Sequence, residues 1–266
     1  VICVLGDAHL DVVVRVDGEV AADTDTQART TVAVGGQGAN VAAWVVALGG
    51  RSRLIAAQAA DLAGSLVAGE LRARGVNLVG PVLAGHTGVV VALSDGGRQR
   101  SMLTDRGAGP SLRAADIDAS WLEGCEWLHL PGYGLTAEPV RGAVLALAAV
   151  AATGLVRISV DLSSTAAIAE FGVAAFRALV ARLGPAVVFG NAAELDLVGD
   201  LGPVEVVRKL GADGVIAGGR HYRASPTEPA DATGAGDAFA AGYLVGGVEV
   251  GLRAAARAVA TMGAMP

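Results

Sequence analysis

Cysteine is almost missing: the 266 residues hold two, Cys3 and Cys125, far apart and with no C-x-x-C pair. That spacing rules out a disulfide framework and a zinc ribbon, and a reducing, cytoplasmic setting is expected. Charge is scarce too, at 17%, with 20 basic against 26 acidic side chains and a net charge of −6. No basic run offers the electrostatic footprint that DNA or RNA needs, so nucleic acid is excluded as a partner. The longest uncharged apolar run, Gly142 to Val156, is shorter than the ~20 residues that cross a bilayer, so no membrane partner is expected. The opening Val1-Ile2-Cys3-Val4-Leu5 carries no basic residue and meets Asp7 at once, which reads as a strand rather than a signal peptide. Several catalytic signatures are also missing. Leu5-Gly6-Asp7-Ala8-His9 is not the G-x-G-x-x-G of a dinucleotide-binding oxidoreductase, and there is no G-x-x-x-x-G-K-[ST] loop, G-x-S-x-G elbow or H-E-x-x-H helix.

Apolar residues and glycine are abundant, at 53% hydrophobic with 38 glycines. A chain of this length buries about three quarters of its unfolded surface, enough for a core without staples. Short β-branched runs alternate with longer helical ones, the pattern of βαβ units and a mostly parallel sheet. Buried strands are expected at Val1–Leu5, Leu54–Ala57, Trp127–Leu130, Ile158–Asp161, Val187–Phe189 and Gly214–Ala217. Helices are expected at Asn40–Leu48, Leu62–Arg74, Glu138–Ala152, Ala174–Leu183, Val204–Leu210 and Gly251–Met262, several closed by a C-terminal glycine such as Gly75 or Gly154. Leu10–Val16, Arg29–Val34, Gly88–Leu93 and Arg98–Leu103 are extended with no helix inside each pair, and Ser94-Asp95-Gly96-Gly97 reads as the turn of a hairpin. The expectation is an α/β fold, residues 1–266 forming one domain, with a small β-sheet lid built from about 10–16, 29–34 and 88–104.

The strongest local signal is Asp231-Ala232-Thr233-Gly234-Ala235-Gly236-Asp237, followed by a helical run. Gly234, Ala235 and Gly236 place free backbone N–H groups at a helix N-terminus, where unpaired donors and dipole both favour an anion. Asp237 falls beside this cradle, where a carboxylate can take the proton of a substrate hydroxyl. The same residues also suit an ordinary aspartate in a first helical turn. The second signal is Gly35-Gly36-Gln37-Gly38-Ala39-Asn40, a strand-to-helix turn whose glycines allow close backbone approach and whose Asn40 can donate and accept to sugar hydroxyls.

Together these segments resemble the two signatures of the ribokinase-like, or PfkB-type, carbohydrate kinases: G-G-x-G-x-N near the N-terminus and D-T-x-G-A-G-D near the C-terminus. Ala232 stands where the second signature commonly has Thr. Asn191-Ala192-Ala193-Glu194 matches the family's N-x-x-E element, between the other two and in the right order. The resemblance covers nearly the whole chain. It implies a ribokinase-like fold and ATP-dependent phosphorylation of a primary hydroxyl of a small sugar, with Asp237 as general base and Gly234, Ala235 and Gly236 as anion hole. Asn191 and Glu194 would hold Mg²⁺ through water near the triphosphate, and Gly219 would contact the nucleotide. Asp11, in a G-x-x-x-x-D pattern with Gly6, would grip the sugar with Gly36, Gln37 and Asn40; an edge-strand carboxylate is the other reading of Asp11. Asp231 and Thr233 resemble positions that hold a monovalent cation, K⁺, in some members. Several such enzymes pair through their lids, and a homodimer is expected because both faces of the small sheet are apolar.

The departures bear on substrate. Gln37 replaces a common Lys and His9 a common Asn, so ribose specificity does not transfer; His9 equally suits a solvated turn. Between Ala217 and Asp231 the chain is shorter than is usual in the family, in a region that helps enclose adenine. Arg106, in Asp105-Arg106-Gly107-Ala108, could meet an acidic sugar or be a surface residue. A nucleoside kinase is the nearest rival, disfavoured because Leu10–Val16 and Gly88–Leu103 hold no aromatic side chain on which a base could stack. A catalytically silent sugar-binding protein is the rival from another class.

Overall fold

Burial alternates along the first strand, and that alternation sets the layers. In the computed structural model, which describes residues 1–94 and 100–266, Ile2 and Val4 pack into one hydrophobic cluster and Cys3 and Leu5 into another. A strand buried on both faces must sit inside a sheet covered by helices on both sides. In chain order the strands and helices are β1 (Ile2–Leu5), β2 (His9–Val16), β3 (Ala28–Gly35), α1 (Gln37–Ala47), β4 (Ser52–Ile55), β5 (Gln58–Ala59), α2 (Leu62–Ala73), β6 (Asn77–Val79), β7 (Val82–Leu83), β8 (Thr87–Ser94) and β9 (Arg100–Gly107). There follow β10 (Trp127–Pro131), α3 (Tyr133–Thr136), α4 (Val140–Thr153), β11 (Arg157–Asp161), α5 (Thr165–Phe171), α6 (Val173–Leu183), β12 (Val187–Asn191), α7 (Ala192–Val198), β13 (Glu205–Lys209), β14 (Val215–Ala217), β15 (Arg220–Tyr222), α8 (Ala235–Gly246) and α9 (Val248–Val259).

Nine of these strands form the large sheet in the order β15-β14-β13-β12-β11-β10-β1-β4-β6, parallel except where β14 meets β13 and β15. Helices α1, α8 and α9 cover one face around Trp44, Phe189 and Phe239, and α4 and α6 cover the other around Leu147 and Phe176. The chain leaves β1 on one side toward β4 and later returns on the other at β10, so strand order reverses at β1. In such sheets the crevice at the carboxyl ends of the strands beside the reversal is the natural ligand position. Asp7, Asp161, Asn191 and Lys209 stand at or just past the carboxyl ends of β1, β11, β12 and β13.

The four extended segments form a separate small sheet, β3-β2-β8-β9, with β2 antiparallel to β3, parallel to β8, and β8 antiparallel to β9. The antiparallel pairing expected of the β8–β9 hairpin is present, whereas its turn, from Asp95, and the first two residues of the strand expected from Arg98 lie outside the described residues. Val90 and Ala92 of β8 face inward and are buried. Across the opposite face runs an apolar row, Val32, Val12, Val91 and Leu103, placed side by side by the registers.

One expected helix is a strand. Within the expected helix Val204–Leu210, Glu205–Lys209 forms β13, because Val206 and Val207 are β-branched, the run between Pro203 and Gly211 is short, and β12 supplies partners along its length. Helix α9 runs Val248–Val259 rather than Gly251–Met262, starting after Gly247. Among the described residues no helix is long and apolar enough to cross a membrane.

Candidate active site

Two glycine-rich turns far apart in sequence meet through one hydrogen bond. Asn40 Nδ2, on α1, donates to Asp237 Oδ2, on the first turn of α8, at 2.8 Å. Gly36 N-caps α1, its carbonyl accepting from Asn40 N at 2.9 Å, and so fixes the turn on which Asn40 stands. Gly234 N-caps α8 with φ 77°, a left-handed conformation that glycine adopts without strain. Among the described residues no side chain caps that helix, and the N–H groups of Gly236 and Asp237 have no carbonyl partner within it. Ala235 N donates to Ala232 O at 3.3 Å, so the open donors of the turn, among the described residues, are those that flank it, with a carboxylate on its inner end.

Asp237 is surrounded closely enough that burial pushes its pKa up to about 7. The Asn40 hydrogen bond and the charge of Lys209 pull it down, while the charges of Asp161 and Asp7 push it up. A carboxylate held near neutrality is suited to accepting a proton. Asn40 is buried, and its Oδ1 has no partner among the described residues, an orphan acceptor of the kind a ligand hydroxyl satisfies.

Asp11 lies on β2, directly over Gly35: a Cβ there would stand 2.2 Å from Asp11 Oδ2. His9 Nε2 is 3.0 Å from Asp11 Oδ1, and His9 Nδ1 is 3.7 Å from Asp7 Oδ2. Burial pulls the His9 imidazole down, but the two carboxylates outweigh it and its pKa is raised. His9 therefore sits inside the site rather than in a solvated turn. Gln37 Oε1 accepts from Ser163 Oγ at 2.6 Å.

Arg106, on β9, lies over the Tyr133 ring at 4.4 Å and is 3.7 Å from Asp7 Oδ2. It lines a cavity of about 840 Å³ together with Asp7, His9, Tyr133, Arg141 and Phe171. The lining stops short of Asp237 and Asn40, and Asp7 connects the two regions, its carbonyl accepting from Ala39 N at 3.1 Å. The aromatic surface that β2 and β8 lack is present here, supplied by α3 and α5, so the absence of aromatics in those segments does not exclude a planar base. Each ring carries a guanidinium, Arg141 lying 4.8 Å from the Phe171 centroid.

Asn191 and Glu194 form a reciprocal capping box on α7. Asn191 Oδ1 accepts from Glu194 N at 2.9 Å, and Glu194 Oε2 accepts from Asn191 N at 2.8 Å. Burial raises the Glu194 pKa. The pair therefore builds the helix as well as facing the crevice, and among the described residues no group of three His, Cys, Asp or Glu could hold a metal ion. Asp231 Oδ1 accepts from Thr233 N and Oγ1, at 2.9 and 2.6 Å, and its Oδ2 from Gly263 N at 3.3 Å. Gly219 is the second residue of the Gly218-Gly219 turn between β14 and β15, at the sheet edge, with open space around it.

The crevice also contains a pair that the motifs did not indicate. Lys209 Nζ donates to Asp161 Oδ2 at 2.7 Å, both side chains being largely buried. A Cβ on Gly236 would be 3.4 Å from that Nζ. Burial pulls the Lys209 ammonium down, but Asp161 first, then Glu194 and Asp237, outweigh it, and the group stays charged.

The family model of the pfkB family carbohydrate kinases matches residues 1–265. Among solved structures, adenosine kinase from Sinorhizobium meliloti superposes with a TM-score of 0.86 at 23% identity, over 100% of this chain and 95% of that one. Ribokinase from Thermotoga maritima gives 0.80 at 22%, over 100% and 96%. A protein assigned as a ribokinase II from E. coli, in complex with ATP and Mg²⁺, gives 0.85 at 20%, over 99% and 94%. At these identities the likeness is one of fold.

Proposed function

The chain belongs to the pfkB family of carbohydrate kinases, and from that premise we propose that it transfers the terminal phosphoryl group of ATP to a primary hydroxyl of a small sugar or sugar derivative. The observation that carries this reading is the Asn40–Asp237 hydrogen bond, which puts a near-neutral carboxylate beside an uncapped helix N-terminus. The acceptor hydroxyl gives its proton to Asp237 as its oxygen bonds to phosphorus and the bond to ADP breaks. The N–H groups of Gly234, Ala235 and Gly236 hold the phosphoryl charge during that exchange. Asp11, Gly36 and Asn40 bind the sugar hydroxyls, with Arg106 and Gln37 around them. Asn191 and Glu194 would hold Mg²⁺ near the triphosphate, where the ion would supply neutralising charge, and Gly219 would border the nucleotide. Asp231 and Thr233 are the candidate K⁺ position.

The small sheet acts as a lid over the sugar, on one domain with the large sheet. Its outer row, Val32, Val12, Val91 and Leu103, pairs with the same row of a second copy. The enzyme works in the cytoplasm, where its two free thiols remain reduced.

Nucleoside phosphorylation is the second reading, favoured by Tyr133 and Phe171 in the 840 Å³ cavity. An ADP-release screen over pentoses, hexoses, keto-acids and nucleosides, with and without Mg²⁺, separates the two. Turnover on none of them, with sugar binding retained, would overturn the kinase reading in favour of a silent binding protein.

A further inference from the structure

The chain contains one lysine against nineteen arginines. A surface that uses arginine at nearly every basic position places its single lysine at the carboxyl end of β13, largely buried, beside the first turn of α8. Space explains part of the choice. An ammonium is a compact point charge, whereas a guanidinium is a broad planar fork, and here Nζ stands 3.4 Å from the Cβ position of Gly236, against the first turn of α8. An ammonium has three protons to donate, and among the described residues its one hydrogen bond is to Asp161 Oδ2. Two donors therefore remain beside the first turn of α8, where the N–H groups of Gly236 and Asp237 have no partner within the helix. Lys209 also lies near Asp237 and Glu194, so a single positive charge sits among three carboxylates, Asp161 included. Such a charge is poised to meet an anion that arrives between them.

We propose that Lys209 is a catalytic residue of the transfer: its ammonium binds an oxygen of the transferred phosphoryl group above the first turn of α8, with Asp161 as the residue that positions it. The inference rests on the kinase reading. Charge that grows on the phosphoryl oxygens as the bond to ADP breaks is then met by a fixed, largely buried cation, and a contact of that kind acts chiefly on kcat. Asp161 keeps the lysine charged and aimed in the absence of nucleotide.

The single lysine makes the test direct. Protein grown with ¹⁵N-lysine has one side-chain ammonium to observe, and a non-hydrolysable ATP analogue with Mg²⁺ should shift that signal while calorimetry measures binding. Lys209→Met should lower kcat 100-fold or more with the acceptor KM within about threefold, and Lys209→Arg should recover only part of the loss. Because Lys209→Met strands a buried carboxylate, the loss is also measured on an Asp161→Asn background, where the carboxylate that Lys209 bonds is already neutral, and at pH 8.5, where Asp237 is largely ionised; there, removing the lysine should still cost 30-fold or more. A cost under threefold on that background would show that the lysine merely neutralises Asp161 and overturns the proposal. So does an ammonium signal unmoved at saturating analogue while the wild type turns over. Wild-type protein that binds no nucleotide by calorimetry would instead overturn the kinase reading, and Lys209 with it.

Discussion

At Asp237 two opposing influences meet, and their balance sets the pH at which the site works. Burial raises the carboxyl to about 7, with Asn40 and Lys209 pulling down and Asp161 and Asp7 pushing up. A base must be unprotonated, so kcat/KM should climb about tenfold per pH unit below 7 and level off above it. A flat profile from about pH 5.5 to 8.5 would remove Asp237 from that role. Asn40→Ala deletes a donor that favours the charged form, so the inflection should move upward and the rate at neutral pH should drop. Asp237→Asn should leave sugar affinity near wild type, measured by calorimetry, while kcat falls ~10²-fold or more. Asp11→Ala should raise the sugar KM at least tenfold, since no aliphatic side chain replaces a carboxylate accepting from hydroxyls; unchanged affinity would take Asp11 out of the site. Asp237, Gly234 and Asn40 are visible in the sequence because each lies in a run whose glycines have a backbone reason to be there. Lys209 and Asp161 carry no local pattern. They meet only because β11 and β13 flank β12, which is a property of the sheet.

Elements carry the second kind of evidence. The capping box on α7 gives Asn191 and Glu194 a structural task that a metal-binding reading alone does not anticipate, and the two roles can be separated. Glu194→Gln keeps an oxygen to accept from Asn191 N, so the melting temperature should hold within a few degrees, whereas Mg²⁺-dependent turnover should fall tenfold or more. Turnover equal to wild type with the fold intact would leave the pair only its cap. Asn191→Ala should instead cost about 1 kcal/mol of stability, read by denaturant melts. The buried strands β1 and β12 were legible as apolar runs between turns, and β10 and β11 as short stretches in which Leu128 and Leu130, or Ile158 and Val160, alternate with polar residues. β13 was not, since Glu205-Val206-Val207-Arg208-Lys209 is half polar and has neither the alternation of a one-sided strand nor an uninterrupted apolar run. Its identity comes from the register with Val187–Asn191 on one side and Val215–Ile216 on the other.

For the molecule as a whole, the outer row of the small sheet is the feature with the widest reach. Val32 and Leu103 are 59% and 58% exposed at its two ends, on opposite edge strands. Light scattering at micromolar concentration should give twice the chain mass, and Val32→Asp with Leu103→Asp should give the single-chain mass. A single-chain mass for the wild type, with or without sugar, would leave the row uncovered and end the dimer reading.

The lone lysine also equips the native chain with its own gauge of opening. A lysine-specific endoprotease has one bond to cut, Lys209–Leu210, and Lys209 is paired with Asn191 of β12 on one side and Val215 of β14 on the other. The protease reaches that bond only in molecules whose sheet has parted at β13, so the rate at which fragments 1–209 and 210–266 accumulate counts that population. Nucleotide at about a hundred times its Kd should slow the cut roughly 100-fold if parting β13 also dismantles the phosphate site.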